Sequence, residues 1–106
     1  MKVQIKSSSR KGKKLTAIFY DDTNKKLKTI HFGAEGMSDY TLHKDKKRKQ
    51  RYMDRHKSNE YWDNPMTAGS LSRYILWNKP TLKGSISDYR KRFNLKPYRP
   101  KKTQRK

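Results

Sequence analysis

Cysteine is absent from this 106-residue chain. Disulfides, thiolate metal sites and cysteine nucleophiles go with it. Acids are scarce, nine Asp and Glu against 29 Lys and Arg, so the formal net charge is +20. Apolar residues make up only 30% of the chain. A domain of this length buries about 60–65% of its unfolded surface. The core is therefore thin, which argues against a large enzyme fold with a deep pocket. No apolar run approaches the roughly 18 residues of a membrane span, and no apolar stretch follows Met1 as in a signal peptide. The expectation is no membrane partner and no signal-peptide secretion. No internal repeat occurs at the periods of repeat folds.

What is present is positive charge, unevenly placed. Residues 1–20 hold six basic residues and no acid, and residues 89–106 hold nine and no acid. The middle carries all nine acids and its own dense block, residues 44–57, with eight basic residues against Asp45 and Asp54. Self-repulsion at this charge opposes compaction. A polyanion relieves it, and nucleic acid is the commonest one, because Lys and Arg release counterions from its phosphates.

Alternation marks strands. Val3 and Ile5 alternate with Lys2, Gln4 and Lys6, and residues 14–20 place Leu15, Ala17 and Phe19 on one face. Asp21, Asp22, Thr23 and Asn24 are turn chemistry. Residues 27–32 return, with Lys28, Ile30 and Phe32 on one side and Gly33 ending the strand. This predicts a three-stranded antiparallel meander. A helix is expected over residues 41–57, with Thr41 as N-cap, Asp45 in the first turn and a narrow docking stripe of Leu42, Tyr52 and Met53. Thr67 caps the next helix, Met66 and Leu71 have staple spacing, and Asn78, Lys79 and Pro80 stop it. Leu82, Ile86, Tyr89 and Phe93 form one face of a further helix, which Gly84 weakens by about 1 kcal/mol. The predicted fold class is α+β: a small three-stranded antiparallel sheet, then two or three helices on one face. Residues 1–95 form one domain and residues 96–106 a disordered basic tail.

The run His31-Phe32-Gly33-Ala34, then Gly36, Ser38-Asp39-Tyr40-Thr41, His43-Lys44-Asp45, Arg48-Lys49, Arg51-Tyr52 and Arg55-His56 carries a resemblance. It continues through Trp62, Ala68-Gly69, residues 76–82, Ser85-Ile86 and Arg92-Phe93. Over residues 27–95 the chain resembles an uncharacterised family of small basic proteins encoded by nucleocytoplasmic large double-stranded DNA viruses of eukaryotes. The resemblance implies a virion or infected-cell setting, in the nucleus or a cytoplasmic viral factory. It brings no catalytic residues to carry over.

The candidate nucleic-acid contacts fall in three groups. Arg10, Lys11, Lys13 and Lys14 sit around a Ser- and Gly-containing loop suited to phosphate, without Walker spacing. Lys44, Lys47, Arg48, Lys49, Arg51, Arg55 and Lys57 recur every three or four residues on the expected helix and can follow a phosphate backbone. Arg90, Arg92, Arg99, Lys101, Lys102 and Arg105 belong to the last helix and tail. The expected function is sequence-independent nucleic-acid binding for genome condensation or packaging, with DNA ahead of RNA, no cofactor, no metal and no catalysis. The alternative is a virion structural protein whose basic ends grip acidic virion proteins. A third reading, a metal-dependent nuclease, uses Asp39, His43 and Asp45, but His43 and Asp45 are two apart and no metal-site spacing supports them. The 12 aromatics can stack on unpaired bases. Core use is the stronger reading for Trp62 and Trp77, and Tyr98 in the tail is the freer stacking candidate. The thin core also leaves room for a homodimer that buries aromatic surface.

Overall fold

The computed structural model describes residues 1–57 and 62–99. The alternating segments form β1 (Lys2–Ser7), β2 (Lys13–Tyr20) and β3 (Lys26–Ala34), joined antiparallel with Val3 opposite Phe19 and Leu15 opposite Phe32. Each turn has a local cause. Gly12 takes φ +87° at the first hairpin tip, a conformation open to glycine. The Asp21 carboxylate collects N–H and O–H donors from Thr23 and the Lys25 N–H, closing the second turn.

The sheet has four strands, not the three expected. β4 (Lys96–Pro97) lies parallel to β1, giving the order β3-β2-β1-β4 and a mixed sheet. The Lys96 N–H donates to Met1 O and the Tyr98 N–H to Val3 O. Pro97 has no N–H to donate, which confines it to an edge such as this one. The first residues of the expected tail are thus bound to the sheet, with the Tyr98 ring stacked on Tyr20 at 3.6 Å. The rest of that tail, 100–106, lies outside the described residues.

The expected helix over 41–57 is two helices, α1 (Tyr40–His43) and α2 (Lys46–His56). Two aspartates cause the break. Asp39, not Thr41, caps α1, and Asp45 caps α2 by accepting from the Lys47 and Arg48 N–H groups. Between them Lys44 turns left-handed at φ 56°. Asp45 cannot both occupy a first turn and close the next helix's N-terminus, and the cap wins. Leu42, expected in the docking stripe, is 65% exposed.

Thr67 caps α3 (Ala68–Leu71), which runs directly into a π-helical turn, Ser72–Leu76, closed by Trp77 N–H donating to Ser72 O. α4 (Leu82–Arg92) follows, capped by Thr81. The core gathers Val3, Ala17, Phe19 and Phe32 from the sheet with Leu71, Ile75, Leu76 and Tyr89 from the helices, and Leu95. Gly33 (φ +80°) is required where Leu76 crosses β3, since a Cβ there would stand 2.8 Å from Leu76 Cδ1.

Candidate nucleic-acid interface

α2 presents two unlike faces. Tyr52 is buried and Lys49, Met53 and His56 are half-buried, while Lys46, Lys47, Arg48, Arg51, Arg55 and Lys57 are exposed. At 100° per residue, Arg48, Arg51 and Arg55 fall within about 60° of one another, on the flank beside Tyr52. None of the three makes an ion pair among the described residues. Asp54 lies about 60° from Arg51 around the helix, next to the stripe, and accepts from Gln50 Nε2. Asp45 is occupied with backbone: the Arg48 and Lys47 N–H groups hold its carboxyl below the ordinary carboxylate range.

Two expected contacts bond backbone carbonyls of the protein instead. Lys44 Nζ donates to Thr41 O (2.9 Å) and Pro80 O (2.6 Å). Lys49 Nζ donates to Asn78 O (2.8 Å) and sits 5.0 Å above the Tyr40 ring. Burial, then the neighbouring Arg73 and Lys79, push the Lys49 ammonium below the usual lysine range. These two cations clamp the α1–α2 arm onto the loop after the π turn.

Rings complete the clamp. Trp77 stacks on Tyr52 at 4.5 Å with planes 4° apart, and Tyr52 in turn meets His56 at 4.4 Å. Trp77 also meets His43 at 5.3 Å, tilted, and His43 meets Tyr40 edge-on at 6.2 Å. Five rings from α1, α2 and residue 77 thus form one column. Residues 52 and 77 are far apart in sequence and share no periodicity, so sequence reasoning has no signal for this contact.

Asp39, His43 and Asp45 are all engaged structurally. Asp39, 2% exposed, pairs with Lys14 Nζ at 2.5 Å and accepts the Thr41 N–H at 2.9 Å. His43 Nδ1 accepts the Asp45 N–H at 2.9 Å, which places the proton of the neutral ring on Nε2. That Nε2 is buried with no partner. Among the described residues no group of three His, Cys, Asp or Glu side chains is placed to hold a metal ion.

The hairpin and α2 meet across a groove of about 520 Å³. Lys13 and Lys14 at the start of β2 form one wall, and Arg55 and His56 at the end of α2 the other. Phe32, Leu76 and Trp77 contribute apolar lining, and Met37, 65% exposed, lines it as well. Sequence reasoning names Lys13, Lys14 and Arg55 without showing that they line one groove. Arg10 and Lys11 lie exposed in the loop that leads to this wall.

The remaining predicted contacts do not join this surface as a group. Arg90 lines a separate depression on α4 with Leu82 and Ile86. Arg92 pairs with Asp88 at 3.2 Å and lies 4.5 Å over the Tyr74 ring. Arg99 is exposed just after β4, and Lys101, Lys102 and Arg105 lie outside the described residues. One cation that sequence reasoning did not single out is Arg73, half-buried over Trp62 and Tyr74 and donating from Nη1 to Trp77 O.

No curated protein and no solved structure matches the chain. Residues 3–56, about half its length and running from β1 to the end of α2, match the family of unknown function DUF5754, and the chain belongs to that family.

Proposed function

We propose that the protein binds nucleic acid without reading base sequence, by neutralising phosphates along α2 and the β1–β2 hairpin. The observation that carries this reading is the stripe Arg48, Arg51 and Arg55. It is exposed, lies on one flank of one helix, and makes no ion pair within 4 Å among the described residues, although Arg51 adds to the field that lowers the Asp45 carboxyl. Like charges at this spacing destabilise a helix by a few tenths of a kcal/mol per pair. A phosphate backbone converts that cost into counterion release. Arg10, Lys11 and Lys13 extend the cationic surface along the hairpin, while Lys47, Lys57 and the C-terminal cations add charge outside the stripe. Lys44 and Lys49 act from beneath, by fixing the helix that carries the arginines.

In the viral setting that the sequence resemblance implies, this activity serves genome condensation or packaging, on DNA before RNA. The test is a mobility-shift titration of the full chain against a DNA duplex of mixed sequence over a range of salt. Log affinity falls linearly with log salt, with a slope of about −0.9 per phosphate neutralised. Replacing Arg48 and Arg51 by Gln lowers the slope by about 2 and weakens all sequences alike. Absence of salt-dependent binding near physiological ionic strength overturns the proposal. Retention of an acidic protein partner after nuclease treatment transfers the basic surface to the alternative of a virion structural protein.

A further inference from the structure

We propose that the groove between the β2–β3 end and α2 is a binding site for a single unpaired nucleotide, phosphate at the mouth and ring inward. This rests on the nucleic-acid reading above and deepens it, assigning one part of the surface to a nucleoside phosphate and not to a duplex backbone.

The groove is of small-ligand size, since about 520 Å³ falls within the roughly 300–1,000 Å³ of such sites. Its walls are asymmetric in chemistry. Lys13, Lys14 and Arg55 bring three full cations, and Asp39 is the single carboxylate. That carboxylate is already neutralised by Lys14 and held by Thr41. Lys13 and Arg55 remain, one on each wall, both exposed and neither in an ion pair among the described residues. An anion between them meets a charge from each side, and an Arg fork suits the two oxygens of a phosphate.

Beneath the cations the lining changes to Phe32, Leu76 and the Trp77 ring. Phe32 and Leu76 are almost fully covered by the rest of the core, 1% and 4% exposed, so they back a floor whose apolar contact surface comes from exposed Met37 and half-buried Trp77. Trp77 and Tyr52 stack face to face, so a planar ring entering the groove meets edges and methyl groups rather than a free aromatic face. This lining accepts a flat apolar ring without reading which base it is, in keeping with binding that ignores sequence. A base paired inside a duplex cannot reach the floor, whereas a strand end, a looped-out base or a free nucleotide can. The shared chemistry of those sources is a nucleoside phosphate.

The test is a set of titrations of ¹⁵N-labelled full-length protein followed by amide shifts. The probes are adenosine 5′-monophosphate, adenosine, inorganic phosphate, a 5′-phosphorylated single strand and a blunt duplex. The monophosphate is expected to shift Gly33, Ser38 and the Trp77 indole N–H saturably, with adenosine and phosphate each at least tenfold weaker. The single strand competing for those resonances assigns the site to strand ends, and failure to compete assigns it to free nucleotide. Ala34→Phe, which fills the groove from β3, is expected to abolish the monophosphate shifts and leave duplex affinity within twofold. If that variant does not fold, Lys13→Gln with Arg55→Gln is expected to weaken the monophosphate at least tenfold. Unsaturable shifts spread over the lysines, or monophosphate binding that survives these changes, overturns the groove. Duplex binding without monophosphate binding sinks this inference and spares the function above. Monophosphate binding without polynucleotide binding does the reverse.

Discussion

Trp77→Ala tests whether the α1–α2 arm is a separable unit latched by rings. Trp77 stacks on Tyr52 and contacts His43, so its removal deletes the centre of the five-ring column. The Tyr52 stack contributes about 0.5–1.5 kcal/mol beyond its buried area. The area that Tyr52 and His43 lose, taken as about 40–80 Å² of apolar surface, adds about 1–2 kcal/mol at about 25 cal/mol per Å². The arm therefore loses about 1.5–3.5 kcal/mol of docking energy, which raises its opening equilibrium roughly 10- to 300-fold. The clamps from Lys44 and Lys49 and the Lys14–Asp39 pair remain, and Leu71, Ile75 and Leu76 still fill the core. Native-state amide exchange reads the result, because local opening is separated there from global unfolding. Protection of α2 amides falls by that factor while β2 amides change little, and Trp77→Phe restores most of it. Unchanged α2 exchange, or an equal fall in β2, refutes the idea of a latched arm.

Gly84→Ala brings no stabilisation, although glycine inside a helix normally costs about 1 kcal/mol. A Cβ at 84 would lie 2.8 Å from Thr81 Oγ1, the atom that caps α4, and losing a cap costs about 1 kcal/mol; a thermal midpoint clearly above the parent contradicts this. Asp45 makes α2 acid-sensitive. The Arg48 and Lys47 N–H groups depress its folded pKa, so its contribution is present above the unfolded value of about 3.9 and is lost as pH falls through the folded one. Asn caps without titrating, so Asp45→Asn flattens this part of the helical circular-dichroism signal below about pH 4, and superimposable acid titrations of the two proteins rule it out.

Much of the fold is legible from short-range pattern. The alternation at 14–20 is β2, Thr67 is the cap it was expected to be, and the last helix ends where its apolar repeat ends. The misses share a cause, competition between local signals or contacts that cross the sequence. Asp39 and Asp45 outcompete Thr41 because carboxylates accept from two donors where one helix was expected. β4 spans two residues and contains Pro97, too little for periodicity to register. The face of α4 is turned toward Ser85, fully buried because its hydroxyl bonds both the N–H and the carbonyl of Lys79, while Leu82 is 38% exposed. The π turn carries Leu76 into the core beside Leu71 and Ile75, which a regular 3.6-residue pattern does not anticipate. At the candidate site, charge density points to α2, but the carbonyls that claim Lys44 and Lys49 and the groove lining from β2 and β3 come from distant segments.

The fate of the carboxylates explains how so cationic a chain folds and still keeps its charge available. Asp21 closes a turn, Asp39 and Asp45 cap helices, and Glu35 accepts the Gly12 N–H. Asp54 is bonded by Gln50, Asp22 by the N-terminal amine, and Asp88 by Asn78 and Arg92. Burial of Asp88 opposes ionisation, but Asn78 and Arg92 outweigh it and hold the carboxyl below its ordinary value. Among the described residues, Lys14, Arg92 and the N-terminus pair with a carboxylate within 4 Å. The acids thus serve mainly the backbone, where a charged acceptor makes a stronger bond than a neutral one. Surface ion pairs would have contributed little, about 0–1 kcal/mol each, and would have masked the arginines. What remains is self-repulsion, screened beyond about 8–10 Å at physiological salt. On the proposed reading, a bound polyanion would remove it and stabilise the folded state by mass action. If the proposed binding holds, salt acts with opposite signs on the two states, strengthening the free fold through screening while loosening the phosphate-bound one.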